Sequence, residues 1–135
     1  MAELASVVLA EDDDDIREIA VRVLRRAGHT VASAADGAEA LRLAHRSRPD
    51  IVVSDIDMPL MSGVDLCAAI RADPGLRDVP VVLVSGSLMP GDERPEQAHA
   101  TAMVVKPFVI ADLLACVDKA LQCGHEDGRP PFACP

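Results

Sequence analysis

Polar side chains with acid, hydroxyl or amine groups directly follow four short apolar runs of this sequence. Glu11 and Asp12 come after the first run, Asp55 after the third, Ser85 after the fourth and Lys106 after the fifth. Clustered carboxylates repel one another, and an oxygen-only ligand set without histidine favours Mg²⁺ as the compensating cation. A lysine ammonium and a serine hydroxyl are suited to hold phosphoryl oxygens. The set therefore predicts an aspartyl phosphate, with one carboxylate as the nucleophile.

The apolar runs alternate with helical patterns, and this alternation predicts how the polar side chains meet. Asp36 and Ser62 are predicted N-caps of the second and third helices, and Pro90 and Pro95 make the fourth helix short or late. Strands that alternate with helices pair in parallel through right-handed crossovers, which predicts an α/β, doubly wound sheet with helices on both faces. Ligands bind such sheets at the carboxyl ends of the strands. The predicted strands are Ser6–Ala10, Thr30–Ala34, Ile51–Ser54, Val81–Val84 and Ala102–Val105.

Acidic residues that follow a strand can also be helix caps without any chemical role. That interpretation fits Asp13, Asp14 and Asp15, which precede a helical pattern. It does not fit Asp55, because Ile-Asp-Met-Pro follows it instead of a helix. Nor does it fit Lys106, because lysine followed by proline is no capping signal. Asp55 and Lys106 are therefore the strongest chemical candidates.

The composition excludes several classes of function. The 135 residues suit one domain, and half of them are apolar. The net charge is −9 without a lysine and arginine cluster, so we expect no direct binding to nucleic acid. No apolar run is long enough to cross a bilayer and no secretory signal is present, so we expect a cytoplasmic protein without membrane contact. Cys67 and Cys116 lie in helical patterns and are expected to be small buried apolar residues outside any disulfide.

Four sequence blocks resemble, in order and spacing, the signature blocks of response-regulator receiver domains from bacterial two-component signalling. The resemblance extends from Ser6 to about Leu121, so residues 1–123 are interpreted as a receiver domain and 124–135 as a C-terminal tail or linker. It implies the flavodoxin-like fold of chemotaxis receivers, a five-stranded parallel sheet in the order 2-1-3-4-5. The blocks are LAEDDDDIR (9–17), PDIVVSDIDMPLMSG (49–63), VLVSG (82–86) and VVKPF (104–108).

The resemblance implies a metal site around the phosphoacceptor. Asp55 would accept the phosphoryl group and also contact Mg²⁺. Asp12 would bind the metal directly, and Glu11 mainly through water. The backbone carbonyl of Asp57 would be a further ligand. Mn²⁺ is expected to substitute for Mg²⁺, and no organic cofactor is expected.

The resemblance also implies how the phosphoryl group is held and sensed. Ser85 would donate a hydrogen bond to it, and Lys106 would pair with it. Receivers usually have Tyr or Phe three residues before this lysine, as a switch that moves inward on phosphorylation. Met103 occupies that position here, and the sequence contains neither Tyr nor Trp. Ser85 and Met103 are therefore the candidate switch residues, with a weaker switch expected.

The function implied is that of a phosphoacceptor in a phosphorelay. The phosphoryl group would come from a sensor histidine kinase or a histidine phosphotransfer protein, and a downstream protein target would sense the change. Such a domain catalyses its own phosphorylation and dephosphorylation, but it is a signalling switch, not a turnover enzyme.

Two alternatives remain open. Asp55-Ile-Asp57 also matches the Asp-x-Asp motif of haloacid-dehalogenase-like, Mg²⁺-dependent phosphatases, in which Asp57 would be the general acid and base. Those enzymes place the motif on their first core strand, whereas here the acidic pair comes first. The other alternative is a receiver used only as an interaction module in its unphosphorylated form, and Mg²⁺ binding would separate the two uses.

Overall fold

The computed structural model describes residues 5–86, 93–105, 110–125 and 131–133. Strands and helices alternate along the chain as the apolar runs predict. The strands are β1 (Ser6–Ala10), β2 (Thr30–Ala34), β3 (Ile51–Asp55), β4 (Val81–Ser85), β5 (Ala102–Val105) and β6 (Phe132–Ala133). The helices are α1 (Asp14–Arg26), α2 (Gly37–Ser47), α3 (Gly63–Ala72), α4 (Arg94–Gln97) and α5 (Ile110–Cys123).

All the strand pairs are parallel, and the sheet has the order β2-β1-β3-β4-β5-β6. The predicted order of the first five strands is therefore confirmed. The short strand β6 extends the sheet beyond β5 and lies within residues 124–135, the predicted tail or linker. Every residue of β3 and β4 is buried, as expected for central strands that helices cover on both faces.

Two apolar layers enclose the sheet, because successive strand residues point to opposite faces. One layer joins Val8, Val52 and Leu83 to residues of α2 and α3, among them Leu66 and Ile70. The other layer lies on the opposite face and includes Leu24 of α1 together with Leu113, Cys116 and Val117 of α5. The layers hold the central strands rigidly, and these strands carry the polar residues of interest.

The helix termini follow local sequence signals. The side chain of Asp36 accepts a hydrogen bond from Glu39 N, and that of Ser62 accepts one from Asp65 N, so both predicted caps are confirmed. Helix α4 has four residues and starts late, with Pro95 near its N-terminus, as predicted. No helix of the described ranges is long and apolar enough to span a membrane.

The cysteines differ from expectation at one position. Cys67 is a buried free thiol, as predicted, and Cys123 is free and exposed. Cys116 is buried, with 2 % of its surface exposed, but it is disulfide-bonded. The expectation that Cys116 lies outside any disulfide is therefore wrong.

Candidate functional site

The predicted site residues that the structure describes lie at the carboxyl end of the sheet. Asp55 is the last residue of β3 and Ser85 is the last residue of β4. The two strands are in register, with Asp55 opposite Val84, and Ile56 N donates to Val84 O at 2.9 Å. Glu11 directly follows β1, and its backbone N–H donates to Ala34 O at 3.0 Å. Parallel pairing thus brings residues from distant parts of the sequence to one edge.

Three carboxylates form a cluster at this edge. One carboxylate oxygen from each of Glu11, Asp12 and Asp55 lies within 4.8 Å of the others. Glu11 and Asp55 are 4 % and 7 % exposed, whereas Asp12 is exposed to solvent. Placing several anions together away from water is costly unless positive charge offsets them. An all-oxygen cluster that opens to solvent on one side fits Mg²⁺, which retains several of its waters.

The start of α1 orients the acidic pair. Asp13 is the N-cap of α1, and its Oδ1 accepts hydrogen bonds from Asp15 N and Ile16 N at 2.9 and 3.0 Å. Asp13 N in turn donates to Glu11 Oε2 at 3.2 Å, and Arg17 Nη1 donates to the Glu11 carbonyl at 2.9 Å. Asp13 therefore has a capping role, as the sequence suggested, while Glu11 and Asp12 belong to the cluster.

Ser85 lies at the opposite side of Asp55 from β1. Its side chain is fully buried, and its hydroxyl donates a long hydrogen bond of 3.5 Å to Asp57 Oδ2. Asp57 itself is exposed in the loop that follows β3. The structure thus brings the side chains of Ser85 and Asp57 together, a contact that the sequence analysis did not anticipate.

Close backbone packing shapes the loop after β3. Gly63 N donates to Ile56 O at 2.9 Å. A Cβ atom at Gly63 would lie 2.9 Å from the Asp55 carbonyl carbon, 3.0 Å from Ile56 Cα and closer still to the Asp55 carbonyl oxygen. Gly37 is similarly crowded by Met61, since a Cβ there would be 2.9 Å from Met61 Cβ. Leu60, which directly precedes Met61 in this loop, is 87 % exposed and has a left-handed φ of 67°.

The two remaining predicted site residues are Met103 of β5 and Lys106, which follows β5 in the sequence. Lys106, the predicted partner of the phosphoryl group, lies outside the described residues. Met103 lies in β5, is partly buried and stands opposite Leu83 of β4. Its position on the strand beside Ser85 is consistent with the predicted switch position, but its role stays a prediction.

A profile of the response regulator receiver domain matches residues 7–118. The chain belongs to the response regulator receiver family. Receiver domains of this family are the phosphorylation-dependent signalling modules of two-component systems. The match covers the acidic pair, Asp55, Ser85 and the strands β2 to β5, so the predicted family and its function as a receiver of two-component systems are confirmed.

Curated relatives are response regulators longer than this chain. The transcriptional regulatory protein PrrA of Mycobacterium tuberculosis is 43% identical over 117 residues, which are 86% of this chain and 49% of that protein. The transcriptional regulatory protein PdtaR of the same species is 37% identical over 117 residues, 85% of this chain and 56% of that protein. The receiver chain thus spans about half the length of these relatives.

Solved structures of receivers are similar over most of this chain. The chemotaxis response regulator CheY4 of Vibrio cholerae has a TM-score of 0.82 at 31% identity, over 87% of this chain and 98% of that one. The receiver domain of the sensor histidine kinase PA1611 from Pseudomonas aeruginosa has a TM-score of 0.81 at 29% identity, over 89% and 99%. That structure has a magnesium ion coordinated in its active site cleft.

Proposed function

We propose that this receiver accepts a phosphoryl group on Asp55 from a phosphohistidine of a sensor histidine kinase or a histidine phosphotransfer protein. The observation that carries the proposal is the convergence of Glu11, Asp12 and Asp55 at the carboxyl end of the central strands. Asp55 is the member of this cluster held by β3, a strand whose residues are all buried. Its backbone is therefore fixed, and its carboxylate stays aligned for attack.

In the proposed reaction, a carboxylate oxygen of Asp55 attacks phosphorus while the phosphorus–nitrogen bond of the phosphohistidine breaks. The imidazole leaves with the electron pair of that bond and takes up a proton. Attack by water later cleaves the aspartyl phosphate and returns Asp55 to its carboxylate form. The domain supplies both steps itself, but it uses one phosphoryl group per signalling event and is not a turnover phosphatase.

The acidic cluster would hold Mg²⁺. Asp12 is the proposed direct ligand because it is the solvent-facing member, and Glu11 is proposed to act through water. Asp55 and the backbone carbonyl of Asp57 complete the set, and Mn²⁺ is proposed to substitute. When bound, the metal supplies positive charge that offsets the phosphoryl oxygens in the transition state.

Ser85 and Lys106 are proposed to hold the phosphoryl group. The Ser85 hydroxyl, which contacts Asp57 Oδ2 at 3.5 Å, would turn to donate its hydrogen bond to a phosphoryl oxygen. Lys106 would neutralise charge on the same group. We further propose that the kinase and the downstream target are protein partners in the cytoplasm. Because its net charge is −9, we propose that this chain does not bind nucleic acid.

Phosphorylation with acetyl phosphate tests the proposed function. Intact-mass measurement should show one added phosphoryl group in the presence of Mg²⁺ and none with a chelator, and hydroxylamine should remove the group. Asp12→Ala should lower the rate of phosphorylation by at least roughly 10- to 100-fold, which is the loss typical of residues that only support a metal ligand. Glu11→Ala should fall at the lower end of that range.

Asp15→Ala is the matched control for these variants, because Asp15 is an exposed acid of the same segment outside the cluster. It should phosphorylate at the wild-type rate. Equal rates in the wild type and Asp12→Ala would contradict the assignment of Asp12 as the direct metal ligand. Phosphorylation that proceeds fully in chelator would contradict the metal site itself.

The switch formed by Ser85 and Met103 is proposed to give only a small conformational response to phosphorylation. Met103 is partly buried beside Leu83, and a flexible methionine side chain has no two sharply distinct resting positions. A ligand shifts a conformational equilibrium only as far as its affinities for the two states differ. Amide NMR shifts with beryllofluoride, a phosphoryl mimic, should therefore concentrate around Met58 and α1. Large shifts confined to Met103, Val105 and α5 would contradict this.

A further inference from the structure

Helix α1 presents a continuous exposed face to solvent. Its buried residues Ala20 and Leu24 pack against the sheet. On the opposite side, five exposed residues recur at spacings of three and four positions, which places them next to one another along one face of the helix. This face is termed the outer stripe of α1, and it consists of Asp15, Glu18, Ile19, Arg22 and Arg26.

Charge is segregated along the outer stripe. The acidic Asp15 and Glu18 lie in its first half, and the basic Arg22 and Arg26 lie in its second half. This order also suits the helix macrodipole, which favours acids near the N-terminus and bases near the C-terminus. The macrodipole does not account for Ile19, which lies between the two halves, is 51 % exposed and is one of three exposed large apolar side chains in the described ranges. An apolar centre with a polar rim is the usual anatomy of a protein interface.

The outer stripe is complementary to a second copy of itself. When two copies of α1 pack antiparallel around a two-fold axis between Ile19 and Arg22, Asp15 of each copy faces Arg26 of the other, because the two positions are equally far from the axis. Ile19 of each copy then faces Arg22 of the other, whose aliphatic stem can cover it. The Arg22 guanidinium keeps its ion pair with Glu18 of its own copy, in which Nη2 and Oε1 are 3.1 Å apart. Such a contact uses the same patch on both copies.

The surface of α1 also has room for the side chains of a facing helix. A groove of about 430 Å³ lies on its exposed side and is lined by two rows of residues with a spacing of four positions. Helices pack by inserting such rows into the grooves of their partners. One row is Glu18, Arg22 and Arg26, and the other is Val21 and Arg25.

We propose that this chain forms a homodimer through the outer stripe of α1, with the two helices antiparallel. A second copy fits better than a uniformly acidic or basic partner, because only a surface with both charges in the reverse order matches both halves of the stripe. The net charge of −9 makes two copies repel overall, so the attraction is confined to this contact. One helix from each copy buries less than the roughly 1,200 Å² of a standard interface, so the dimer is weak and transient.

Charge reversal tests the dimer. NMR diffusion of the full chain, measured from about 10 µM to about 1 mM, should show association of the wild type. A salt concentration of about 0.1 M screens the repulsion between distant charges but not the direct contacts, whereas about 1 M should weaken the dimer. Asp15→Arg and Arg26→Asp should each weaken association about tenfold, because both exchange two attractive contacts for two repulsive ones. An equimolar mixture of the two variants should associate as the wild type does, because each copy then meets opposite charges.

Asp65→Arg is the matched control, because Asp65 is an exposed acid in the first turn of α3, on the other face of the sheet. It changes the net charge exactly as Asp15→Arg does and should associate as the wild type does. Ile19→Ser should weaken association without any change in charge, and urea denaturation checks that every variant stays folded. A wild type that stays monomeric up to about 1 mM, or a mixture of Asp15→Arg and Arg26→Asp that does not associate, would overturn the proposal.

Discussion

Asp55→Asn is expected to abolish phosphorylation by acetyl phosphate. An amide oxygen is a far weaker nucleophile than a carboxylate, and the substitution keeps the shape of a side chain that is 7 % exposed. It also removes one of the three negative charges that lie within 4.8 Å of one another, so the fold should not lose stability. Intact-mass measurement over the full wild-type time course checks the loss.

Asp57→Asn is the matched control, and it also separates the receiver from the phosphatase alternative. A receiver is expected to use only the backbone carbonyl of Asp57, so this variant should still accept the phosphoryl group. A haloacid-dehalogenase-like phosphatase would instead need the Asp57 carboxylate as its acid and base and would lose turnover of p-nitrophenyl phosphate. An added phosphoryl group on Asp55→Asn would contradict the assignment of Asp55 as the phosphoacceptor.

Gly63→Ala should destabilise the protein and disturb the site together. The new Cβ would lie 2.9 Å from the Asp55 carbonyl carbon and 3.0 Å from Ile56 Cα. Both are backbone atoms and cannot rotate away, so the end of β3 or the start of α3 must shift. Overpacking of this kind typically costs about 1–3 kcal/mol. Because the clash is with Asp55 itself, we also expect slower phosphorylation.

Gly75→Ala is the control, because Gly75 is exposed and its Cβ would meet only Asp73 Oδ1 at 3.4 Å. Its free energy of unfolding should stay within about 0.5 kcal/mol of the wild type. Urea denaturation gives the change in the free energy of unfolding for Gly63→Ala and for Gly75→Ala from the shift in midpoint at constant slope. Equal stability of the two variants would show that the loop after β3 adapts freely, contrary to the packing described.

Local patterns were sufficient to predict most of the fold. Short runs rich in valine placed β1 to β5 within one residue of their observed ends, because period-2 and period-3.6 patterns depend only on neighbouring residues. The caps at Asp36 and Ser62 are equally local signals. The convergence of Glu11, Asp12 and Asp55 also followed, since parallel strands share one carboxyl edge.

Long-range contacts decided the features of the fold and the site that local patterns did not predict. The strand β6 has two residues, too few to show any period, and it forms only because the chain after α5 meets the open edge of β5. The crowding of Gly37 by Met61 depends on two loops that are distant in sequence. The burial of Glu11 beside an exposed Asp12 is likewise visible only in the folded chain.

The sequence by itself determined the family and the identity of the acidic cluster, because these depend on residue types at fixed spacing, and the resemblance to that family implied the order of the first five strands. Only the tertiary structure decided that Cys116 is disulfide-bonded, that Ser85 contacts Asp57 and that β6 covers β5. The last two of these features join segments far apart in the chain. No local periodicity encodes them, because their free energy comes from packing that exists only once the sheet has formed.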